Sequence, residues 1–173
     1  MAFINENEKY CTTCGSLYEV RDMEGEGKVQ FCPTCNAWHF PVFNTACIMI
    51  VVDRVNRKIL LIKQYGRPDY ILVAGYVNRG EDAETTVARE VKEETGLDVA
   101  QVHFNRSEYF ERSNSLMLNF TAYVDDASSM KVNREVDSYA WFSFEDARKN
   151  IKEGSLAKKF LEAYLDEAPD SFS

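Results

Sequence analysis

Residues 75–97 read GYVNRGEDAETTVAREVKEETGL. Gly75 opens the stretch, Glu81 follows six residues on, and Arg89-Glu90-Val91, Glu93-Glu94 and Gly96-Leu97 close it. The pattern predicts a turn, a helix and a second turn. Glu81 and Asp82 stand where the positive end of a helix dipole favours negative charge. Val87 and Val91 lie four apart and form an apolar seam that packs inward. Gly96 supplies a helix stop. Glu90, Glu93 and Glu94 fall at i, i+3 and i+4, so their carboxylates share one side of the helix. Like charges at that spacing repel by about 0.2–0.5 kcal/mol per pair. A hard divalent cation removes the repulsion; Mg2+ takes carboxylate oxygens, keeps some water and completes its shell with phosphates. The competing reading is a solvated acidic helix face.

Outward from this stretch, 173 residues make one ordinary domain, or a small domain attached to a moderate one. An apolar fraction of 45% is enough for a packed core. A formal charge of −8 argues against a nonspecific nucleic-acid binder, which relies on basic patches. It leaves anionic substrates open, because a bound metal inverts the local field. MAFINENEKY has neither a basic n-region nor an apolar h-region, so no signal peptide is expected. The apolar run from Cys47 to Val52 is too short to span a membrane. These features set the expectation of a cytoplasmic, reducing location without disulfides.

The first 40 residues carry a second pattern. Cys11-Thr12-Thr13-Cys14-Gly15 and Cys32-Pro33-Thr34-Cys35 are two C-x2-C pairs spaced as in tetrathiolate zinc sites. Gly15 suits the unusual backbone that such a turn needs. Glu24-Gly25-Glu26-Gly27 reads as the loop of a hairpin between two short strands. So small a segment buries too little surface to fold alone, which calls for a metal staple, Zn2+. The alternative, a redox cysteine pair, lacks a thioredoxin-like pattern after it. Cys47, inside the buried-strand pattern Ala46–Val52, is expected to be a small core residue.

From Phe40-Pro41 onward the chain reads as a larger domain, giving expected boundaries of 1–40 and 41–173. Ala46–Val52 and Lys58–Gln64 are predicted strands joined by a hairpin at Asn56-Arg57. Tyr70–Val77 is extended. Gln101–Phe110 and Leu116–Val124 are strand-like, and Tyr139–Phe142 is a short strand. Ser143 caps a helix to about Ile151; Gly154 breaks it, and Ser155 caps a last helix to about Leu165. Leu156, Phe160 and Tyr164 repeat every four residues as a core-facing stripe. The tail from Pro169 is expected to fray. The order implies an α/β fold, a mixed sheet with helices on both faces.

Residues 75–97 match the box of the Nudix hydrolase superfamily, G-x5-E-x7-R-E-U-x-E-E-x-G-U, at every specified position. The resemblance implies an α/β/α sandwich and hydrolysis of a nucleoside diphosphate linked to another group, with Mg2+ or Mn2+. It assigns metal binding to Glu90, Glu94 and the carbonyl of Ala74. Glu93 is a further ligand or reaches the ion through water, and Arg89 orients the glutamates. Glu81 pairs with Arg89 or holds the helix start. A carboxylate from outside the box is common in the family. Glu135, in Glu135-Val136-Asp137-Ser138-Tyr139-Ala140-Trp141-Phe142, is the candidate and Asp137 the competitor. The general base stays open among Glu93, Glu94 and Glu135.

The order of four-cysteine ribbon, aromatic-Pro pair and box domain resembles the NADH pyrophosphatases, zinc-ribbon members of the superfamily. These cut NAD(H) into NMN(H) and AMP, and some remove NAD caps from RNA. The resemblance runs from Cys11 to about Leu165 and implies a homodimer. Ser155-Leu156-Ala157 matches a Ser-Ile-Ala-type segment beside the substrate. The family's S-Q-P-W-P-F-P-x-S loop is replaced by Ser107-Glu108-Tyr109-Phe110-Glu111-Arg112-Ser113-Asn114-Ser115. Without the rigid prolines this loop is expected to have a different shape. The substrate contacts implied are Phe40, Glu108, Tyr109, Phe110, Arg112, Ser115 and Ala157. Tyr109 or Phe110 would stack on a base and Arg112 meet a phosphate, unless both aromatics belong to a strand core. ADP-ribose, FAD and NAD-capped RNA are the rival substrates. A nucleotide-sensing module without turnover is the rival class, but such sensors lose metal carboxylates and none is missing here.

Overall fold

The computed structural model describes residues 2–5 and 7–167. The chain divides into two compact units, Met1–Phe43 and Asn44–Ser173.

The first unit is built on a small sheet of β1 (Ala2–Phe3), β2 (Glu19–Met23), β3 (Gly27–Cys32) and β4 (Ala37–His39). β2 and β3 form the expected hairpin, in register from Glu19 opposite Phe31 to Met23 opposite Gly27. The turn works because Gly25 and Gly27 both take positive φ, +84° and +83°. Val29, Phe31 and Cys32 are buried. Phe31 meets the Trp38 ring edge-on at 5.0 Å and carries the Arg21 guanidinium over its face at 3.9 Å.

The second unit is organised by β5 (Asn44–Asp53), whose hydrogen bonds change partner along its length. One edge pairs in parallel with β9 (Ser115–Val124) from end to end. The other edge pairs antiparallel with β6 (Lys58–Gln64) only at Val52 and Asp53, and with β7 (Val73–Tyr76) from Ala46 to Met49. β6 and β5 therefore diverge, and residues 71–76 fill the gap: Ile71 exchanges backbone bonds with Ile62 before β7 joins β5. This crossing is why the strand starts at Val73 and not at Tyr70, where extension begins. β8 (Gln101–Phe110) and β10 (Val136–Phe142) complete the strand order β10-β6-β5-β9-β8. β10 starts three residues before the expected Tyr139, with a bulge between Val136 and Ser138. The Asp53 carboxylate ties the β5–β6 turn by accepting from the backbone N–H groups of Val55 and Asn56 and from the Asn56 side-chain amide.

Alternation along β5 sorts the core into two layers. Cys47, Met49 and Val51 face helix α1 (Ala83–Thr95), where Val87, Val91 and Leu97 are buried with Leu60, Ile62, Phe120 and Ala122. Cys47 is thus the small core residue expected, its thiol directed at the Ala83 carbonyl. Ile48, Ile50 and Val52 face the opposite side, against α2 (Phe144–Asn150) and α3 (Leu156–Glu167) through Ala147, Phe160, Leu161 and Tyr164. Helices on both faces of a mixed sheet are the sandwich that the sequence implies. Ser143 caps α2 and Ser155 closes the first turn of α3, each accepting a backbone N–H three residues on. The expected frayed tail from Pro169 lies outside the described residues. No described helix is long and apolar enough to cross a membrane.

Phe160 is fully buried in the second layer. Phe160→Ala should lower unfolding stability by about 3–5 kcal/mol, read as a shift of the urea midpoint with an unchanged slope.

Candidate active site

Helix α1 begins at an Asp82 cap, whose carboxylate accepts from Thr85 N at 2.7 Å. It stops at Gly96, which has φ +73° and donates to the Lys92 carbonyl. Between these ends Arg89 gathers the acidic residues. Its Nε and Nη2 take both oxygens of Glu81, at 2.8 and 3.0 Å. Nη1 reaches Glu90 at 2.7 Å and Glu93 at 3.2 Å, and Nη2 also meets the Tyr76 carbonyl. Both roles expected of Glu81 are present: it pairs with Arg89 and also accepts from Thr86 Oγ1 and Asn78 N at the helix start. Arg89 is not a loose surface residue. It fastens the helix to β7 and holds Glu90 in place.

Gly75 explains the approach of β7 to α1. A Cβ on it would lie 2.0 Å from Glu90 Cδ, so any side chain there would push that carboxylate from its place. The next carboxylate, Glu94, is 4% exposed and accepts from Gln64 Nε2 at 2.9 Å. Burial pushes its carboxyl up to about 7; Gln64 opposes this, and the charges of Glu90, Glu135 and Glu93 add to it. Such crowding in the protein alone is the electrostatic state that a cation relieves.

Residues 131–137 return to the end of α1. Lys131 N donates to the Thr95 carbonyl and Asn133 N to the Glu94 carbonyl. Gly96 allows that approach, since a Cβ there would meet the Lys131 backbone at 3.1 Å. The turn that follows brings Glu135 beside the box. Its carboxylate accepts from Tyr65 Oη at 3.0 Å, and this bond is the first cause of a raised phenol pKa at Tyr65. Asp137 instead accepts from Gly66 N at 2.6 Å.

Glu90, Glu94 and Glu135 line one cavity of about 460 Å³, with Gln64, Tyr65, Ala74–Tyr76 and Asn78 on the same walls. Phe110, Ser113 and Met117 line it too. Its volume is in the range of small-molecule sites. Among the described residues no three carboxylates draw donor oxygens within 4.8 Å of one another. The acidic groups therefore border the space without forming a closed ligand set, and water or phosphate would have to complete the shell of any ion held among them. Glu93 turns its side chain to Arg89 and is largely exposed.

Of the substrate contacts that the sequence implied, the cavity contains Phe110. The stretch from Ser107 is a β-hairpin: β8 pairs with β9 up to Phe110 opposite Ser115, around a short 3-10 turn, Glu111–Ser113. Prolines would have removed donors from that ladder. Tyr109 is 53% exposed, with its hydroxyl on Asn114, so it belongs to neither the core nor the cavity wall. Arg112 sits exposed on the 3-10 turn, away from the cavity lining, and Ser115 is buried with its hydroxyl on Ser113. Ala157 packs against the second core layer. Glu108 lines a separate hollow of about 340 Å³ with Phe110 and the start of α3, and pairs there with Lys159. Phe40 is half exposed, in the first unit. Gln64 and Tyr65 were not anticipated. For Gln64 the signal was available: it shares the parity of Leu60 and Ile62, so a polar group ends the helix-facing row of β6.

In the first unit, Cys11, Cys14, Cys32 and Cys35 bring their sulfurs within 4.8 Å of one another. Cys11 and Cys35 are 3.9 Å apart, Cys14 and Cys32 3.5 Å. Four sulfurs bound 2.3 Å from one ion would stand about 3.8 Å apart, so the cluster fits a tetrahedral metal site. The residue after each pair, Gly15 and Asn36, is left-handed, with φ +76° and +52°. Asn is the other residue type that tolerates this conformation, so the two knuckles share one geometry. His39 Nε2 lies 3.7 Å from Cys11 Sγ, a neighbour that the cysteine spacing did not announce.

The bond to Arg89, with Thr86 and Asn78, holds the Glu81 carboxyl at about 2, below its ordinary 4.5. A depressed folded pKa stabilises fully above the unfolded value and fades as pH falls through the folded one. In chelator, wild-type stability should therefore decline between about pH 4.5 and 2 more steeply than that of Glu81→Gln, measured by urea unfolding at each pH.

Known proteins resemble this chain in sequence and in fold. The family model described as NUDIX domain matches residues 43–164. A curated relative named NAD-capped RNA hydrolase NudC, from Stutzerimonas stutzeri (strain A1501), is 29% identical over 157 residues, which are 91% of this chain and 56% of that protein. The Mus musculus protein named NAD(P)H pyrophosphatase NUDT13, mitochondrial, is 30% identical over 92% of this chain and 46% of its own length. The chain thus spans about half the length of these relatives. A crystal structure of a NUDIX hydrolase from Nitrosomonas europaea superposes with a TM-score of 0.64 at 22% identity, covering 92% of this chain and 91% of that one. With the model match covering most of its length, and Gly75, Glu90 and Glu94 of the box lining one cavity, the chain belongs to the NUDIX domain family.

Proposed function

We propose that the protein is a divalent-metal-dependent pyrophosphatase that hydrolyses a nucleoside diphosphate joined to a second group, with NAD(H) as the leading substrate and NMN(H) and AMP as products. The observation that carries the reading is the convergence of Glu90, Glu94 and Glu135 on one cavity walled by Ala74 and Gly75. These carboxylates and the Ala74 carbonyl would hold Mg2+ or Mn2+, whose charge neutralises phosphate oxygens and acidifies a bound water. Arg89 keeps Glu90 and Glu93 in place, and Glu93, Glu94 or Glu135 takes the proton of the attacking water. Water adds across the P–O–P linkage and each half leaves with one phosphate. Phe110 offers a ring at the cavity wall for a base or nicotinamide to stack on.

NAD-capped RNA is the second substrate reading, supported by the name of the Stutzerimonas stutzeri relative. A homodimer in a cytoplasmic setting completes the proposal; light scattering reads the mass. With Mg2+ or Mn2+ the protein should release AMP from NADH. Glu94→Gln should lower kcat by about 10²–10⁴-fold, the scale of a general acid–base group. Inertness toward NADH, ADP-ribose, FAD and NAD-capped RNA alike would refute the enzyme reading.

The sulfur cluster is proposed to hold Zn2+ as a structural ion, because thiolates in a closed tetrahedron favour it and leave no open position for chemistry. Elemental analysis should find one zinc per chain. Cys32→Ser should lose the zinc and collapse the amide spectrum of residues 10–39, while leaving that of residues 44–165 in place.

A further inference from the structure

Three consecutive residues at the end of β6 donate hydrogen bonds to three different carboxylates. Gln64 Nε2 gives one to Glu94 Oε2 at 2.9 Å, Tyr65 Oη one to Glu135 Oε2 at 3.0 Å, and Gly66 N one to Asp137 Oδ2 at 2.6 Å. Regular strand geometry forbids this, because neighbouring side chains point to opposite faces. Gln64 follows Leu60 and Ile62 onto the α1 side, so Tyr65 would turn away. The backbone breaks the alternation: Tyr65 has φ +55° and Gly66 φ +67°. Both side chains then line the same cavity.

A left-handed conformation is strained for a bulky residue, and such strain persists only where the surroundings over-determine it. Core packing does not supply that, since Tyr65 is 68% exposed. Its phenol is anchored by the Glu135 carboxylate, and its neighbour Gly66 by Asp137. On Glu94 and Glu135 the bonded atom is one oxygen, Oε2, which leaves Oε1 for another partner. Outer hydrogen bonds of this kind set the direction of metal-binding carboxylates.

We propose that the Gln64-Tyr65-Gly66 turn is a positioning device that aims Glu94 and Glu135 at a common divalent cation, with Tyr65 acting through Glu135. This rests on the reading of those carboxylates as metal ligands. Tyr65 is a positioning residue: its hydroxyl serves the carboxylate and leaves the water to others.

The test uses the full chain with Mn2+ as the probe, its dissociation constant read by electron paramagnetic resonance without substrate. The variants are Tyr65→Phe, Glu135→Gln and the double variant. Tyr65→Phe keeps the ring and should leave the thermal midpoint in chelator unchanged. It should weaken Mn2+ binding by about 10–100-fold, the scale of an outer-shell loss. In the Glu135→Gln background it should have no further effect. Weakened binding by Glu135→Gln but not by Tyr65→Phe would overturn the positioning role and leave the metal reading standing. Equal, additive losses in both backgrounds would overturn action through Glu135. Unchanged binding in Glu135→Gln would remove the metal reading of that residue, and the proposal with it.

Discussion

Carboxylates that repel one another must be held within one small space before any ion arrives, and the structure depends on how that repulsion is contained. Arg89 does most of it. One guanidinium contacts Glu81 through two nitrogens, and Glu90, Glu93 and the Tyr76 carbonyl through its remaining donors. Planar, fixed donors suit this task better than the point charge of a lysine would. The same cation joins the helix start, the helix middle and β7, so the local fold and the site share one electrostatic fastening. Its side chain is only about a quarter exposed, which limits screening by solvent.

The rest of the site follows from the sheet. β5 gives part of one edge to β6 and part to β7, and the segment between them fills the divergence. That arrangement puts Gln64 at the end of β6 near Ala74 and Gly75 on β7, beneath the acidic side of α1. The second contributor, residues 131–137, is fastened to the end of the same helix by two backbone bonds and admitted by Gly96. Remote parts of the sequence thus reach the cavity through ordinary backbone pairing, and their side chains need only short reaches.

Much of this was legible in the chain. The box residues, the negative charge of Asp82 at the helix start, the caps at Ser143 and Ser155, and the hairpin at Asn56-Arg57 are local signals, each decided by a few neighbouring residues. So are the cysteine knuckles, where spacing alone brings the sulfurs into pairs. What stayed hidden depended on backbone handedness or on long-range pairing. Tyr65 reads as an ordinary residue at a strand end, because nothing nearby reveals a left-handed φ in a tyrosine. The resemblance named Glu135 the candidate and Asp137 its competitor; the fold shows Glu135 lining the cavity and Asp137 tying the turn at Gly66. The hairpin that replaces the proline-rich loop was expected to differ, but its unbroken ladder, with Tyr109 turned outward, depends on pairing with β9.

The hydrogen at Gly75 has a consequence for anyone who wishes to alter what this protein accepts. Even a methyl group there would displace the Glu90 carboxylate from where it stands, so a change at this position disturbs the acidic cluster itself. Phe110, Ser113 and Met117 line the same cavity from the β8–β9 hairpin, which contributes none of the acidic cluster. On the proposed function, substitutions on the hairpin would alter what the cavity accepts without touching the carboxylates, so the two tasks would be free to diverge.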